Sequence, residues 1–318
     1  MPLITAAVVT SFDEPPRPAP IEAPVAAAGQ ELVDVLAVGI HPATRGTAAG
    51  KHYTNTKRPP IVAGIDAVVR RGDDSLAMVM APESGTLAER IAVDPSTLIP
   101  LPQHADPATV AATMNPALSP WVALHARAGF QPGQTLMVIG ATGNAGGMAV
   151  KVGKLMGASR VIAAGRNQKR LEQLLAEGAD DIVTLTEDAE QTAASFAATA
   201  ADVDVVLDYV WGATTENAIA AIDAARTDHV KVLDWLQMGG MGGTAITLDG
   251  HLFRHNALRI SGSGFGSVPM GRADLAGLAA AITRGDLVVR PRPVPLADVE
   301  AAWAHDDARG ERTVIMVA

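Results

Sequence analysis

Cysteine is absent from the 318-residue chain, which excludes disulfides, thiolate nucleophiles, iron–sulfur clusters and any zinc site built on thiolates. Aromatic residues are scarce, at 3%. The core must therefore come from Ala, Val, Leu and Gly, a composition that suits helices packed on a parallel sheet. Charged residues make up 19% against 48% hydrophobic, which describes a globular chain and not a disordered tail. Positive charge is in deficit. A formal net charge of −9 argues against a nucleic-acid partner, whose phosphates require a basic face. No apolar run approaches the roughly 18 continuous residues of a membrane helix. Met1–Thr5 carries no basic stretch leading into an apolar run, so a secretion signal is not expected and a cytoplasmic location is the simplest reading.

The length fits two domains. The first hundred or so residues read as short strands: Leu3 to Val9, Glu31 to Ile40, Ile61 to Val69 and Ala77 to Ala81, with Pro15, Pro16, Pro18 and Pro20 forcing an extended connection after the first. Strands at this spacing without helical periodicity between them predict a compact β domain. From Pro107 the pattern becomes helical up to Gly129. Strand and helix then alternate: strands at 135–139, 160–164, 182–185, 204–209, 230–236 and 258–262, helices at 146–156, 168–177, 188–200 and 215–225. That alternation predicts a parallel sheet covered on both faces. The tail reads as a helix over 272–284, an extended Pro-rich stretch over 288–295, a helix over 297–308 and a last strand over 313–317. It is expected to complete the N-terminal domain, since the two ends of a domain usually lie close together.

One segment carries the cofactor chemistry. The strand Leu136–Ile139 runs into Gly140-Ala141-Thr142-Gly143-Asn144-Ala145-Gly146, and Gly146 opens a helix. Strand, glycine turn and helix N-terminus form the context in which free amides meet a pyrophosphate. Thr142, Gly143, Asn144 and Ala145 are the candidate phosphate contacts, although Ala141 stands where a strict G-x-G-x-x-G has glycine. The next strand decides the dinucleotide. Where a NAD-preferring fold needs a carboxylate, this chain has Gly165-Arg166-Asn167, with Lys169 and Arg170 beyond. The Arg166 guanidinium suits a 2′-phosphate, Gly165 leaves it room, and Asn167 fits an N-cap or a further donor, so NADPH is favoured over NADH. Arg170 reads as a helix-surface charge. Val210, Met238, Gly239 and Ser263 follow later strands, where ligands sit in such sheets.

The chain resembles the medium-chain dehydrogenases/reductases of the quinone oxidoreductase type. The resemblance is carried by Leu118-Ser119-Pro120-Trp121-Val122-Ala123-Leu124 through Pro132-Gly133-Gln134-Thr135, by Ser84-Gly85-Thr86-Leu87-Ala88-Glu89-Arg90 and by Gly178-Ala179-Asp180. It implies an α/β architecture in two parts. A GroES-like β-rich catalytic domain spans 1–119 and 270–318, and a Rossmann doubly wound parallel sheet binding NADPH spans 120–269. The resemblance further implies an active site in the cleft between domains, a homodimer formed through the sixth-strand segment Leu258–Gly264, and Ser119 at a cofactor-contacting position, with Asn115 nearby.

Relatives that use catalytic zinc hold it with a Cys and with the His of a Gly-His-Glu motif. Here His41 and Gly64-Ile65-Asp66 stand at those positions, so no metal is expected. His251 and His255 have a metal-like spacing but no third ligand, and read as surface or packing residues. Without a Lewis acid, reduction of a quinone or an α,β-unsaturated carbonyl is the favoured chemistry, with NADPH as hydride source and hydrogen bonds stabilising the product anion. Tyr53, in a loop that faces the cleft in this family, and then His41 are the candidate proton donors. A non-catalytic NADPH-sensing protein on the same fold and a zinc-independent alcohol dehydrogenase remain as alternatives.

Overall fold

A computed structural model describes residues 2–52, 55–80, 82–264, 267–268, 273–308 and 310–317. In chain order the N-terminal elements are β1 (Leu3–Val9), β2 (Arg17–Glu22), β3 (Glu31–Gly39), α1 (Pro42–Ala48), β4 (Ile61–Val62), β5 (Asp66–Arg70), β6 (Leu76–Met80), β7 (Arg90–Val93), β8 (Ile99–Pro100) and α2 (Pro107–Val122). The alternating region comprises β9 (Thr135–Ile139), α3 (Asn144–Leu155), β10 (Arg160–Gly165), α4 (Gln168–Ala176), β11 (Asp181–Thr184), α5 (Ala189–Ala200), β12 (Val205–Asp208), α6 (Ala213–Ala225), β13 (Leu233–Gln237), α7 (Leu252–His255) and β14 (Leu258–Gly262). The tail adds α8 (Leu275–Arg284), β15 (Arg290–Pro295), α9 (Val299–Trp303) and β16 (Glu311–Met316). Two compact units result, Met1–Asn115 with Leu275–Ala318, and Pro116–Asp274.

The first unit holds two sheets among its described residues, one ordered β2-β1-β4 and one ordered β15-β16-β3-β5-β6-β8, with β7 also paired to β3. The Pro-rich stretch after β1 is itself a strand. Pro18 and Pro20 pair with Ala7 and Thr5 on an outer strand, where a missing N–H breaks no ladder. The apolar run from Ile61 divides because Ile61 and Val62 pair with β1 while Asp66–Arg70 joins β3 in the other sheet. Val33, Val35, Val38, Ile40, Leu87 and Ile91 pack the core, and Ile315 and Val299 of the tail join them. The tail strand β16 pairs antiparallel with β3, Val314 opposite Gly39.

Three expectations are corrected here. The helix α1 interrupts the β region, capped by His41 with Pro42 at its first position; seven residues are too few for periodicity to reveal it. The strands β7 and β8, of four and two residues, are shorter still and were not expected. The helix expected over 297–308 is only α9, because the Asp307 carboxylate accepts from the Thr313 amide at 2.9 Å and from its hydroxyl, holding 304–308 against β16.

The second unit is a six-stranded parallel sheet ordered β11-β10-β9-β12-β13-β14. Met137, Ile139, Ile162, Ala164 and Val206 meet Phe196, Ile219 and Trp235 on one face. Leu136, Val138, Val161 and Ala163 alternate to the opposite face and are also fully buried, as a sheet covered on both sides requires. No helix among the described residues is long and apolar enough to cross a membrane.

Candidate cofactor and active site

The register of the parallel sheet sets the site. Ile139 pairs with Ala164 and with Asp208, Asp208 with Gln237, and Gln237 with Gly262, so five strands end in one row. The residues just past these strand ends lie along that edge: Gly140, Gly165 and Arg166, Tyr209 and Val210, Met238 and Gly239, and Ser263. The strand order runs outward in both directions from the β9–β12 pair, and a crevice opens beyond the strand ends at such a reversal.

The phosphate loop is built for close approach. Gly140 turns with φ 87°, a conformation costly for other residues, and the amides of Gly140 and Ala141 both donate to Ala164 O at 2.9 Å. Gly143 caps α3 without a side-chain acceptor, which leaves the amides of Ala145 and Gly146 facing the turn where a ligand would sit. At Gly146 a Cβ would stand 2.7 Å from Ala141 Cα, so only glycine lets α3 start this close to the strand. Thr142, Asn144 and Ala145 are half-buried along the loop and Gly143 is exposed.

Because Ala164 O holds the loop, the end of β10 lies beside it. The Thr142 side chain packs over Gly165, where a Cβ would come 3.0 Å from its Oγ1. Arg166 and Lys169 are exposed, and neither makes a hydrogen bond or ion pair with a described residue. Asn167 caps α4, its side chain accepting from the Arg170 amide at 2.9 Å. Arg170 is not a solvated surface charge. Its guanidinium is clamped on Glu177, which also takes Lys151 at 3.2 Å. The hydrogen bond from Arg170, against some desolvation, holds the Glu177 carboxyl below the ordinary range.

At the other strand ends, Met238 N and Gly239 N donate to Asp208 O at 2.7 and 3.2 Å, and Ser263 N donates to Gln237 O at 3.0 Å. The buried Asp208 carboxylate was not foreseen. Its Oδ1 accepts from the amides of Val210 and Trp211 at 2.9 and 3.0 Å, and its Oδ2 from Trp235 Nε1 at 3.0 Å and from the Thr215 hydroxyl. This pins a turn in which Trp211 adopts φ 61°. The sequence signal, an acid at a strand end followed by Thr215 and Trp235, is too dispersed to recognise before folding. Ser119, half-buried on α2, is the polar neighbour of the Tyr209 hydroxyl.

Of the proposed proton donors, Tyr53 lies outside the described residues. His41 is 1% exposed. Its Nδ1 accepts from the Thr44 amide at 3.4 Å, which puts the ring proton on Nε2, 3.1 Å from Asp66 Oδ2. Thr44 Oγ1 is also 3.1 Å from that nitrogen and donates to Gly39 O. Both ring nitrogens are thus committed inside the first unit, as a helix cap and as a partner for a buried carboxylate. Burial first and the nearby His41 second lower the pKa of His52, the residue before Tyr53. His251 accepts from Arg254, and His255 stacks on His229.

Comparison with known proteins gives the family and the fold. Residues 145–283 match the family model described as zinc-binding dehydrogenase. A probable NADPH-dependent quinone reductase of Emericella nidulans is 31% identical, over 90% of this chain and 92% of that protein. The chain belongs to the quinone oxidoreductase family of medium-chain dehydrogenases/reductases. Among solved structures, the quinone oxidoreductase of Thermus thermophilus, studied with NADPH, matches with a TM-score of 0.76 and 27% identity over 98% of this chain and all of that one. A mycobacterial quinone oxidoreductase shares the fold with a TM-score of 0.81 at 19% identity, covering 99% and 100% of the two chains.

The family model's description raises zinc, and the residues present do not fit it. His41 has no nitrogen to spare, Ile65 carries no donor, and Asp66 already binds the imidazole. Among the described residues one other trio, His305, Asp307 and Glu311, brings possible ligand atoms within 4.8 Å of one another. Arg290 sits 2.7 Å from Glu311 and Arg312 lies 3.9 Å from Asp307, so the charge that would attract a cation is already balanced.

Proposed function

We propose that this chain is an NADPH-dependent oxidoreductase that reduces quinones, with α,β-unsaturated carbonyls as the related substrate class, and that it works without zinc. The observation that carries the reading is Arg166, an exposed guanidinium without an acidic partner among the described residues, two residues past the carbonyl that holds the phosphate loop. The names of the Emericella and Thermus relatives support the same cofactor and substrate.

In this reading the first-turn amides of Ala145 and Gly146 in α3, with Thr142, Gly143 and Asn144 of the loop around them, take the pyrophosphate. Arg166 takes the 2′-phosphate, and Gly165 keeps its approach open. The NH2 of Asn167, left over from capping α4, is a further donor there. Ser119, Val210, Met238, Gly239 and Ser263 line the nicotinamide half. NADPH, when bound, supplies the hydride. The protein's part is to orient donor and acceptor, exclude water and donate hydrogen bonds to the oxygen that gains charge. The proton for that oxygen comes from solvent or from Tyr53. We assign His41 the supporting role its hydrogen bonds describe: it holds Asp66 and the start of α1. Residues 1–119 and 270–318 act as the catalytic domain and 120–269 as the NADPH domain. We further propose that the protein is a cytoplasmic homodimer.

The test is NADPH oxidation with a panel of quinones and enones, before and after exhaustive chelation, together with binding of both dinucleotides to Arg166→Ala. Turnover unaffected by chelator is expected. The variant should lose about tenfold or more in NADPH affinity, in line with a charge-assisted hydrogen bond, and little in NADH affinity. A wild type that prefers NADH, or equal losses for both dinucleotides, overturns the cofactor assignment.

A further inference from the structure

Between Gly165 and Gly178 the chain carries Arg166, Lys169, Arg170, Glu172 and Glu177 as its charged residues. Their side chains are not equally occupied. Glu177 is held by Arg170 and Lys151. Glu172 is held by a neutral neighbour, since Gln168 Nε2 donates to its Oε1 at 3.0 Å. The Gln168 amide is fixed in turn, because its Oε1 accepts from the Thr184 hydroxyl at 2.6 Å. A carboxylate can only accept, so the NH2 must face Glu172, the amide oxygen must face Thr184, and the hydroxyl must donate. Thr184 at the end of β11 thus grips the first residue of α4, which occupies the Glu172 carboxylate. Both acids of the stretch have partners, whereas Arg166 and Lys169 have none among the described residues.

The backbone around Arg166 is fixed by the same strand. Gly165 pairs with Thr184, and Leu185 N donates to Gly165 O at 2.8 Å. On the other side Asn167 caps α4. Only Arg166 and Asn167 join β10 to α4, so any slide of the helix start along the sheet carries Arg166 with it. We propose that Thr184 and Gln168 are positioning residues for the 2′-phosphate end of the cofactor, acting through Arg166. Their hydrogen bond sets the start of α4 against β11, and Gln168 keeps the Glu172 carboxylate engaged, so the guanidinium is presented in place and without an acid. A side chain whose backbone is already placed loses less freedom on binding than one that must be ordered by the ligand. Neither residue needs to touch the phosphate. This inference rests on the NADPH reading above and adds to it the residues that set the discrimination between the two dinucleotides.

The experiment measures the affinities for NADPH and NADH by calorimetric titration in wild type, Thr184→Val, Thr184→Ser, Gln168→Ala, Arg166→Ala and the Arg166→Ala/Thr184→Val double variant. Thr184→Val keeps the branched shape of the strand residue and removes only the hydroxyl. It should weaken NADPH about threefold to tenfold, the worth of one hydrogen bond, and leave NADH unchanged. Gln168→Ala breaks the same link from the exposed helix side and should show the same selective loss. Thr184→Ser retains the donor and should bind as wild type does. In the Arg166→Ala background, Thr184→Val should cost nothing further, because the group it positions is gone. A merely structural hydroxyl would lower both affinities together. Equal losses for the two dinucleotides, a Thr184→Ser variant as weak as Thr184→Val, or losses that multiply in the double variant each overturn the proposal. If Arg166→Ala itself shows no preference between the dinucleotides, both readings fall. If Arg166→Ala is selective while Thr184→Val and Gln168→Ala bind NADPH as wild type does, this one falls alone.

Discussion

At Gly146 the helix start passes so close to the preceding turn that a single methyl group has nowhere to go. The nearest obstacles are backbone atoms, Ala141 Cα at 2.7 Å from a built Cβ among them, and backbone cannot rotate out of the way. Gly146→Ala is therefore expected to cost about 1–3 kcal/mol of stability, as overpacking does, and to weaken NADPH binding by at least about tenfold as α3 is pushed from the loop. Urea unfolding and calorimetric titration read the two effects. Wild-type stability in the variant would mean that the strand-to-helix crossing is looser than it looks. This residue was legible in the sequence because its chemistry is local: strand, turn and helix are contiguous. His41 was legible only as a polar residue near the right place. Its commitment to Asp66, 25 positions away, depends on how α1 and β5 come together.

Elements differ in the same way. The boundaries of α4 lie close to their expected positions, since Asn167 caps its start and its amphipathic face repeats within a few residues. What the sequence concealed is the partner of Arg170. Glu177 lies one residue beyond the helix, and the pair ties the end of α4 back to its first turn beside the phosphate loop. The folded-state pKa of Glu177 is lowered, chiefly by the Arg170 hydrogen bond. The resulting stability is present above the ordinary glutamate value of about 4.3 and is lost as pH falls through the lower folded value. Glu177→Gln should thus be less stable than wild type by about 1 kcal/mol at pH 7, with the gap closing below about pH 4. Denaturation midpoints across pH 3–8 check this, and a gap that persists in acid would place the stabilisation elsewhere. By contrast α9 was overestimated, because the side chain that ends it, Asp307, finds its partner in Thr313 of the following strand.

At the scale of the whole molecule, the parallel sheet ends at β14, which pairs with β13 and with no other described strand. An outer strand leaves a row of amides and carbonyls unpaired, a ready place for a second copy. Light scattering is expected to give twice the 32.7 kDa chain mass, independent of NADPH. A monomer at micromolar concentration would remove the homodimer from the proposal.

The alternation of strand and helix, the glycine loop at 140–146, the arginine in place of an acid after β10 and the lack of cysteine are properties of neighbouring residues. They determined the class of fold and the class of cofactor along the chain itself. The tertiary structure decided which polar groups are committed and which are left free. His41 is bound inward, Arg170 is paired and Arg166 has no described partner. The physical reason is range. Periodicity and turn chemistry act over a few residues and can be read along a line, whereas a hydrogen bond between Asp208 and Trp235 exists only once parallel strands bring 27 positions of separation down to 3.0 Å.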